Sequence, residues 1–133
     1  MSKTVNHILL IDDNKIDNFF HERIIKKYDP QIKITTLRTA YEALDFIQSQ
    51  EEKPNIIFLD INMPGMSGWE FLDEYKKLKH LYQDVMIVVM LTTSENPDDK
   101  ARALTHGMLS DFRSKPLTLE ILKEVIEKFH QSK

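Results

Sequence analysis

The fold is decided by two short stretches, Ile8-Leu-Leu-Ile-Asp12-Asp13 and Ile56-Ile-Phe-Leu-Asp60. Each is an unbroken apolar run that ends at an acidic residue. Unbroken apolar runs of this length are typical of strands that helices cover on both faces. The two stretches therefore predict buried parallel strands whose carboxyl ends carry carboxylates.

Three further runs extend the pattern along the chain: Ile32 to Leu37, Val85 to Leu91, and a weaker one from Asp111 to Arg113. Apolar residues recur at helical spacing between the runs. The predicted helix faces are Ile16, Phe19, Phe20 and Ile24, then Tyr41, Leu44 and Ile47, then Leu119, Leu122, Ile126 and Phe129. Five successive β-α units predict an α/β fold with an open parallel sheet, right-handed crossovers and helices on both faces.

Helix starts are marked by residues that cap free backbone N–H groups. Thr39 and Glu42 have the spacing of a capping box, and Thr118 precedes the last helix. Asn96 is followed by Pro97, the arrangement of an N-cap with a first-turn proline. We expect helices to begin at these three places.

The composition limits the function classes. The chain has 133 residues, no cysteine, 18 basic and 21 acidic side chains and a net charge of −3. One domain over residues 1–133 is expected, without disulfides or thiolate metal sites. The acidic balance argues against a nucleic-acid partner. No signal peptide and no apolar run long enough to cross a membrane is found, so a cytoplasmic protein without a membrane partner is expected.

Polar residues follow the strands at what would be one edge of the sheet. Asp12 and Asp13 follow the first strand, Asp60 the third, Thr92 the fourth and Lys115 the fifth. Three gathered carboxylates repel one another unless a cation lies between them, and oxygen ligands suit Mg²⁺. A threonine and a lysine at the same point could hold phosphoryl oxygens. Singly, such residues are more often caps or turns; their joint placement favours a site.

Other polar residues are interpreted as structural. The five histidines, His7, His21, His80, His106 and His130, are scattered without metal-binding spacing and are expected to be surface or capping residues. Glu124 and Lys128 are expected to pair on the last helix.

Four strings carry a resemblance to a known family. They are Ile8-Leu-Leu-Ile-Asp-Asp-Asn14, Leu59-Asp-Ile-Asn-Met-Pro-Gly-Met-Ser-Gly68, Met90-Leu-Thr-Thr-Ser94 and Ser114-Lys-Pro-Leu117. In this order and spacing they resemble the receiver domain of two-component response regulators, the family of the chemotaxis regulator, over essentially the whole chain. The resemblance implies a flavodoxin-like, doubly wound sheet with strand order 2-1-3-4-5.

The resemblance also implies a role for each strand-end residue. Asp60 would be the phosphoacceptor, which attacks the phosphorus of a kinase phosphohistidine. The implied Mg²⁺ ligands are Asp12 (directly or through water), Asp13, Asp60 and the backbone carbonyl of Asn62. Thr92 and Lys115 would each hold a phosphoryl oxygen. Such a protein is a signalling receiver, not an enzyme acting on other substrates.

Further positions match the family's mechanical residues. Phe112 corresponds to a switch aromatic that moves inward together with Thr92, and the bond from Lys115 to Pro116 would be cis. Asn62 and Ser94 would flank the path of the hydrolytic water and so set the lifetime of the acyl phosphate. The glycines of the loop from Pro64 to Gly68 are expected to allow φ values that other residues avoid.

The resemblance implies the partners as well. The donor would be a sensor histidine kinase or a histidine phosphotransfer protein, and the strings Leu91–Asp99 and Lys115–Thr118 are similar to those of small stand-alone receivers that accompany phytochrome-type kinases. No output domain is expected in a chain ending at Lys133. Output would then pass through a face within residues 97–129, to a downstream protein or a second copy, or by relay of phosphate.

Two alternatives use the same fold elements. A haloacid-dehalogenase-like phosphatase would also use Asp60 as a nucleophile with Mg²⁺, but that family has a second Asp where this chain has Asn62. A flavodoxin would need a loop that cradles a phosphate after the first strand. Here that loop is Asp12-Asp-Asn-Lys15, whose acidic residues would repel the phosphate.

Overall fold

Strands and helices alternate along the chain as predicted. The computed structural model describes residues 5–49, 53–78, 87–93, 95–107 and 109–131. In these residues the strands are β1 (His7–Ile11), β2 (Lys33–Leu37), β3 (Ile56–Leu59), β4 (Ile87–Thr92) and β5 (Asp111–Ser114). The helices are α1 (Lys15–Tyr28), α2 (Ala40–Ser49), α3 (Gly68–Leu78), α4 (Pro97–Thr105) and α5 (Leu119–Gln131).

The five strands form one parallel sheet in the order β2-β1-β3-β4-β5, which confirms the predicted fold class. The order reverses between β1 and β3, and ligands of such sheets bind beyond the strand ends at this point. Ile11 pairs with Leu59 across these two strands. The residues that follow them, Asp12 and Asp60, therefore emerge side by side.

The core lies on both faces of the sheet. Every residue of β1, β3 and β4 is buried. One apolar layer joins the sheet to α2 and α3, and the other joins it to α1 and α5. Each fully buried aliphatic or aromatic side chain contributes about 1.5–3 kcal/mol by leaving water. The two layers hold the strand ends in a fixed arrangement at the carboxyl edge.

Strand boundaries differ slightly from the expectation. β2 begins at Lys33 instead of Ile32, and β4 runs from Ile87 to Thr92 instead of from Val85 to Leu91. The first two residues of that expected run, 85 and 86, lie outside the described residues. Thr92, the polar residue after the apolar run, pairs with Ser114 and is therefore still part of the hydrogen-bonded ladder between β4 and β5.

The predicted apolar face of α1 was wrong for three of its four residues, and only Ile24 packs against the core. Ile16, Phe19 and Phe20 are more than half exposed, while the buried residues of the helix are Asn18, His21 and Ile25. The Asn18 side chain donates to the backbone carbonyl of Asp12 at 2.9 Å. This bond turns a polar face of α1 towards the sheet edge. Tyr41, expected on the inner face of α2, is exposed as well.

Two histidine predictions and one ion pair also need correction. His7 and His21 are buried, and the His7 ring forms a hydrogen bond with the Thr35 hydroxyl at 2.9 Å. His80 lies outside the described residues. Glu124 pairs with Arg113 at 2.5 Å, and Lys128 donates to the carbonyl of Ser110 at 3.1 Å. Glu124 and Lys128 therefore do not pair with each other: Glu124 pairs with Arg113 of β5, and Lys128 bonds to Ser110, which directly precedes β5.

The predicted caps are confirmed. The Thr39 hydroxyl accepts from the Glu42 backbone N–H at 3.1 Å, although the Glu42 carboxylate accepts from Arg38 instead of Thr39. Asn96 caps α4 through the N–H of Asp98 at 2.9 Å. Thr118 accepts from the N–H of Ile121 at 3.1 Å.

Helix α4 contacts Trp69, an aromatic residue of α3, through polar and cation-π interactions. None of the nine residues of α4, all of them described, is buried, and Leu104 is 88% exposed. The Trp69 indole N–H donates to the Asp99 carboxylate at 3.0 Å. The Arg102 guanidinium lies 4.9 Å from the centre of the Trp69 ring. Polar and cation-π contacts to Trp69 therefore fasten a helix that contributes little to the core.

We predict that Trp69→Phe loosens α4 without unfolding the sheet, because phenylalanine fills part of the site but cannot donate to Asp99. Loss of a hydrogen bond to a charged group corresponds to an increase of about tenfold in amide exchange. The measurement is hydrogen exchange over residues 97–105. Asp98→Ala, which removes a neighbouring first-turn carboxylate, is the matched control. Unchanged exchange of α4 in Trp69→Phe would show that other contacts hold it.

Candidate functional site

Three carboxylates meet at the carboxyl edge between β1 and β3. Ligand oxygens of Asp12, Asp13 and Asp60 all lie within 4.8 Å of one another. Asp12 and Asp60 are 4% and 7% exposed, and Asp13 is half-buried. The backbone N–H of Asp12 bonds to Leu37, and that of Asp60 bonds to Ile11, both at 3.0 Å. These bonds extend the ladder past the strands and fix the positions of the two buried carboxylates.

Lys115 points into the same cluster. The Lys115–Pro116 peptide is cis, as predicted, and the Lys115 N–H donates to the Thr92 carbonyl at 2.9 Å. Lys115 Nζ lies 2.6 Å from Asp12 Oδ2, 2.8 Å from Asp17 Oδ2 and 3.7 Å from Asp60 Oδ2. The structure thus brings together the predicted lysine and carboxylates, with the ammonium nearer to Asp12 than to Asp60.

Sequence reasoning missed Asp17. It lies in the first turn of α1, and the helix after a strand in a βα unit starts over that strand's carboxyl end. Its position above the predicted edge was the signal that could have identified it.

Negative charge is in excess around Asp60. Burial and the neighbouring Asp12 carboxylate raise the pKa of Asp60 to about 6, against the lowering effects of Lys115 and of the Ile61 N–H, which donates to Asp60 at 2.9 Å. For Lys115, burial acts to lower the pKa, but hydrogen bonds to Asp12 and Asp17 outweigh it and the pKa is raised. One ammonium does not neutralise three carboxylates.

The donor set fits a hard divalent cation. It consists of carboxylate oxygens that converge within one coordination sphere, which is the ligand type that Mg²⁺ prefers. A cation there would also offset the repulsion that raises the pKa of Asp60. Asn62 is exposed two residues after Asp60, and the role of its backbone carbonyl as a ligand stays a prediction.

Thr92 and Phe112 occupy neighbouring strands beside the cluster. Thr92 is buried at the end of β4, and Phe112 is half-buried on β5, paired with Met90 in the register. The Phe112 ring packs against the apolar layer that includes α3. A coupled movement of the two residues stays a prediction. Ser94, expected to influence phosphate lifetime, lies outside the described residues.

Two glycines shape the loop that follows Asp60. Gly65 has φ +81°, as expected for a glycine turn. Gly68 serves a different purpose, because a Cβ atom there would lie 2.3 Å from the Asp60 carbonyl oxygen. The expectation of an unusual φ at Gly68 was therefore wrong, and close backbone approach requires the glycine. The loop returns to Asp60 and holds its backbone in place.

We predict that the contribution of Asp60 to the stability of the Mg²⁺-free protein falls as pH rises, because Asp60 has a higher pKa when folded (about 6) than when unfolded. The folded state then binds the proton more tightly, so this stabilisation is present at low pH and is lost as pH rises through about 6. A difference of about two units between the folded and unfolded pKa values of Asp60 corresponds to about 3 kcal/mol of unfolding free energy at most. Urea unfolding in EDTA should show Asp60→Asn gaining stability over wild type between pH 4 and pH 7.5. A constant difference across that range would contradict the prediction.

Comparison with known proteins identifies similar chains. A family model described as the response regulator receiver domain matches residues 8–127. The response regulator Rcp1 of Synechocystis is 37% identical over 97 residues, which is 69% of this chain and 65% of that protein. The probable methanogenesis regulatory protein FilR2 of Methanothrix harundinacea is 31% identical over 128 residues, 93% of this chain and 81% of that protein. The chain thus spans slightly less than two thirds of Rcp1.

Solved structures agree with these matches. A two-component response regulator from Cytophaga hutchinsonii has a TM-score of 0.87 at 31% identity, covering 98% of this chain and all of that one. The phosphorylated cyanobacterial phytochrome response regulator RcpA has a TM-score of 0.77 at 27% identity, covering 97% of this chain and 96% of that one. Within the described residues, the helices are too short or too polar to cross a membrane.

Proposed function

Since the chain belongs to the response regulator receiver domain family, we propose that it accepts a phosphoryl group on Asp60 from the phosphohistidine of a sensor histidine kinase or histidine phosphotransfer protein. One observation carries the proposal. Asp60 is a buried member of an acidic cluster, lies 3.7 Å from the Lys115 ammonium, and follows a strand at the switch point of the sheet. Its family places it among signalling proteins and not among enzymes that turn over other substrates.

In the proposed step an Asp60 carboxylate oxygen attacks phosphorus. The new P–O bond forms as the P–N bond to the donor histidine breaks, and the electron pair of that bond returns to the imidazole. Lys115, now 3.7 Å from Asp60, moves onto a phosphoryl oxygen, and the Thr92 hydroxyl holds another. Phosphoryl transfer depends mainly on such positioning and on neutralisation of charge.

The metal would be held by Asp12, Asp13, Asp60 and the carbonyl of Asn62. Mg²⁺, when bound, supplies positive charge to the phosphoryl oxygens. The carboxylates orient the phosphoacceptor, and the surrounding sheet keeps Asp60 almost free of bulk water. The donor set and its excess negative charge support this assignment.

The output would pass through the face formed within residues 97–129. Between α4 and β5 lies a groove of about 760 Å³, lined by residues that include Lys100, Leu104, Phe112 and Arg113. Helix α4, which buries none of its side chains, can shift at small cost when Thr92 and Phe112 rearrange. A downstream protein or a second copy would bind there, unless the protein only relays phosphate.

We propose that residues 1–133 act as one receiver unit.

Intact-mass measurement tests the proposal. Incubation with acetyl phosphate and Mg²⁺, or with a phosphorylated sensor kinase, should add one phosphoryl group that hydroxylamine removes, as expected of an acyl phosphate. EDTA should prevent the addition. A protein that stays unmodified by each donor would overturn the proposal. Steady turnover of p-nitrophenyl phosphate would instead support the phosphatase alternative, which Asn62 at the position of that family's second Asp disfavours.

A further inference from the structure

Lys115 is shared between three carboxylates, and one of them has no place in the proposed metal site. Nζ lies 2.8 Å from Asp17 Oδ2, within direct hydrogen-bonding distance, while Asp60 is 3.7 Å away. Among the described residues, the acidic groups that converge to hold a metal are Asp12, Asp13 and Asp60, without Asp17. The chemistry of the site assigns Asp17 no role except its contact with the lysine.

Asp17 is well placed to keep that contact. It lies in the first turn of α1, where its N–H is bonded to the Asn14 side chain at 3.1 Å. The turn is further fixed by Asn18, which donates to the Asp12 carbonyl. The Lys115 side chain is 8% exposed and that of Asp17 is 32% exposed. The pair therefore lies at the border of the cluster, with the lysine inside and the aspartate facing solvent.

Lys115 and the proposed Mg²⁺ compete for the Asp12 carboxylate, so Lys115 needs Asp17 as a second acceptor. In the structure Asp12 accepts from Lys115 at 2.6 Å, yet the proposed function requires the same carboxylate for Mg²⁺. A cation held by Asp12 would repel the Lys115 ammonium, and Asp12 would then no longer serve as its hydrogen-bond acceptor. Asp17 remains to hold a buried lysine that would otherwise lose a hydrogen-bonded counter-charge, which is costly.

We propose that Asp17 is a positioning residue for Lys115: it holds the ammonium in the unphosphorylated protein, keeps it when a cation occupies Asp12, and gives it up to the phosphoryl group. This inference rests on the proposed function. It assigns two opposite effects to one carboxylate. Asp17 favours binding of the metal by drawing Lys115 away from Asp12, and it opposes binding of the phosphoryl group by competing for the lysine.

Asp17→Asn tests the inference, because it keeps the size of the side chain and removes the charge. Mg²⁺ affinity should fall about fivefold, and affinity for beryllofluoride at saturating Mg²⁺ should rise about fivefold, as expected for loss of one partly exposed ion pair. Calorimetric titration measures both. Asp17→Glu, which keeps the carboxylate, should restore most of both values.

The matched control is Glu22→Gln, which removes a charge from the same helix where it pairs with Lys26 at 3.3 Å. It should leave both affinities at the wild-type level. If Asp17→Asn behaves like wild type, or weakens both ligands together, the inference is overturned. If the wild-type protein itself fails to bind beryllofluoride with Mg²⁺, the proposed function fails. This result concerns wild type alone, so it can be told apart from a failure of the inference, which shows only in Asp17→Asn.

Discussion

Asp60→Asn should reduce phosphoryl incorporation from acetyl phosphate to background. The carboxylate oxygen that attacks phosphorus is replaced by an amide, which is a much weaker nucleophile, while the volume of the side chain hardly changes. The readout is intact mass after incubation with Mg²⁺. The variant is expected to remain folded, because removing a buried charge relieves the repulsion from Asp12 that raises the pKa of Asp60.

Asp45→Asn is the matched control, since it makes the same chemical change at an exposed position of α2. It should be labelled like wild type. Labelling of Asp60→Asn at the wild-type level would place the phosphoacceptor on another residue, with Asp12 and Asp13 as the nearest carboxylates to examine by peptide mapping.

The sheet and the central carboxylates could be predicted because they depend on local rules. Apolar runs identify β1 and β3, and parallel strands bring their carboxyl ends to one edge, so Asp12 and Asp60 are predicted at the same edge. That β1 and β3 are neighbours in the sheet came from the strand order that the family resemblance implies. The register of Ile11 with Leu59 then places the two side by side. No long-range information beyond strand adjacency was needed.

The orientation of α1 could not be predicted in the same way. Apolar periodicity selected Phe19 and Phe20, which are exposed, whereas Asn18 and His21 are buried. The buried Asn18 side chain donates a hydrogen bond to the Asp12 carbonyl, and periodicity of apolar residues carries no information on such a bond. Burial of polar groups is favourable only when they find partners, and partners are set by tertiary structure.

The pairing of Lys115 shows the same limit. The motif places the lysine at the edge, but its closest partners are decided by side-chain positions. Asp17 and Lys115 are 98 residues apart in the chain and meet because the Lys115 side chain reaches from the end of β5 to the first turn of α1. Sequence reasoning could place the lysine at the site, but it could not assign its hydrogen bonds.

Asp13→Ala should abolish Mg²⁺ binding. Among the described residues Lys115 contacts Asp12, Asp17 and Asp60, so Asp13 is the carboxylate of the cluster whose charge the ammonium does not directly neutralise. Asp13 is also the least buried of the three carboxylates, so a cation can reach it without first displacing the lysine. We therefore expect Asp13 to supply the largest single attraction for the metal, and its removal to cost more than that of Asp12.

Calorimetry, or the fluorescence of Trp69, would follow the titration, since Trp69 adjoins Gly68, which packs on the Asp60 backbone. Asp45→Asn again serves as the control for loss of one charge. Without Mg²⁺, Asp13→Ala should melt at a higher temperature than wild type, because Asp13 adds to the repulsion on Asp60. A variant that loses binding while gaining stability cannot have lost the metal through unfolding. An unaltered titration curve in Asp13→Ala would remove Asp13 from the metal site and leave Asp12 and Asp60 to compete with Lys115 for the cation.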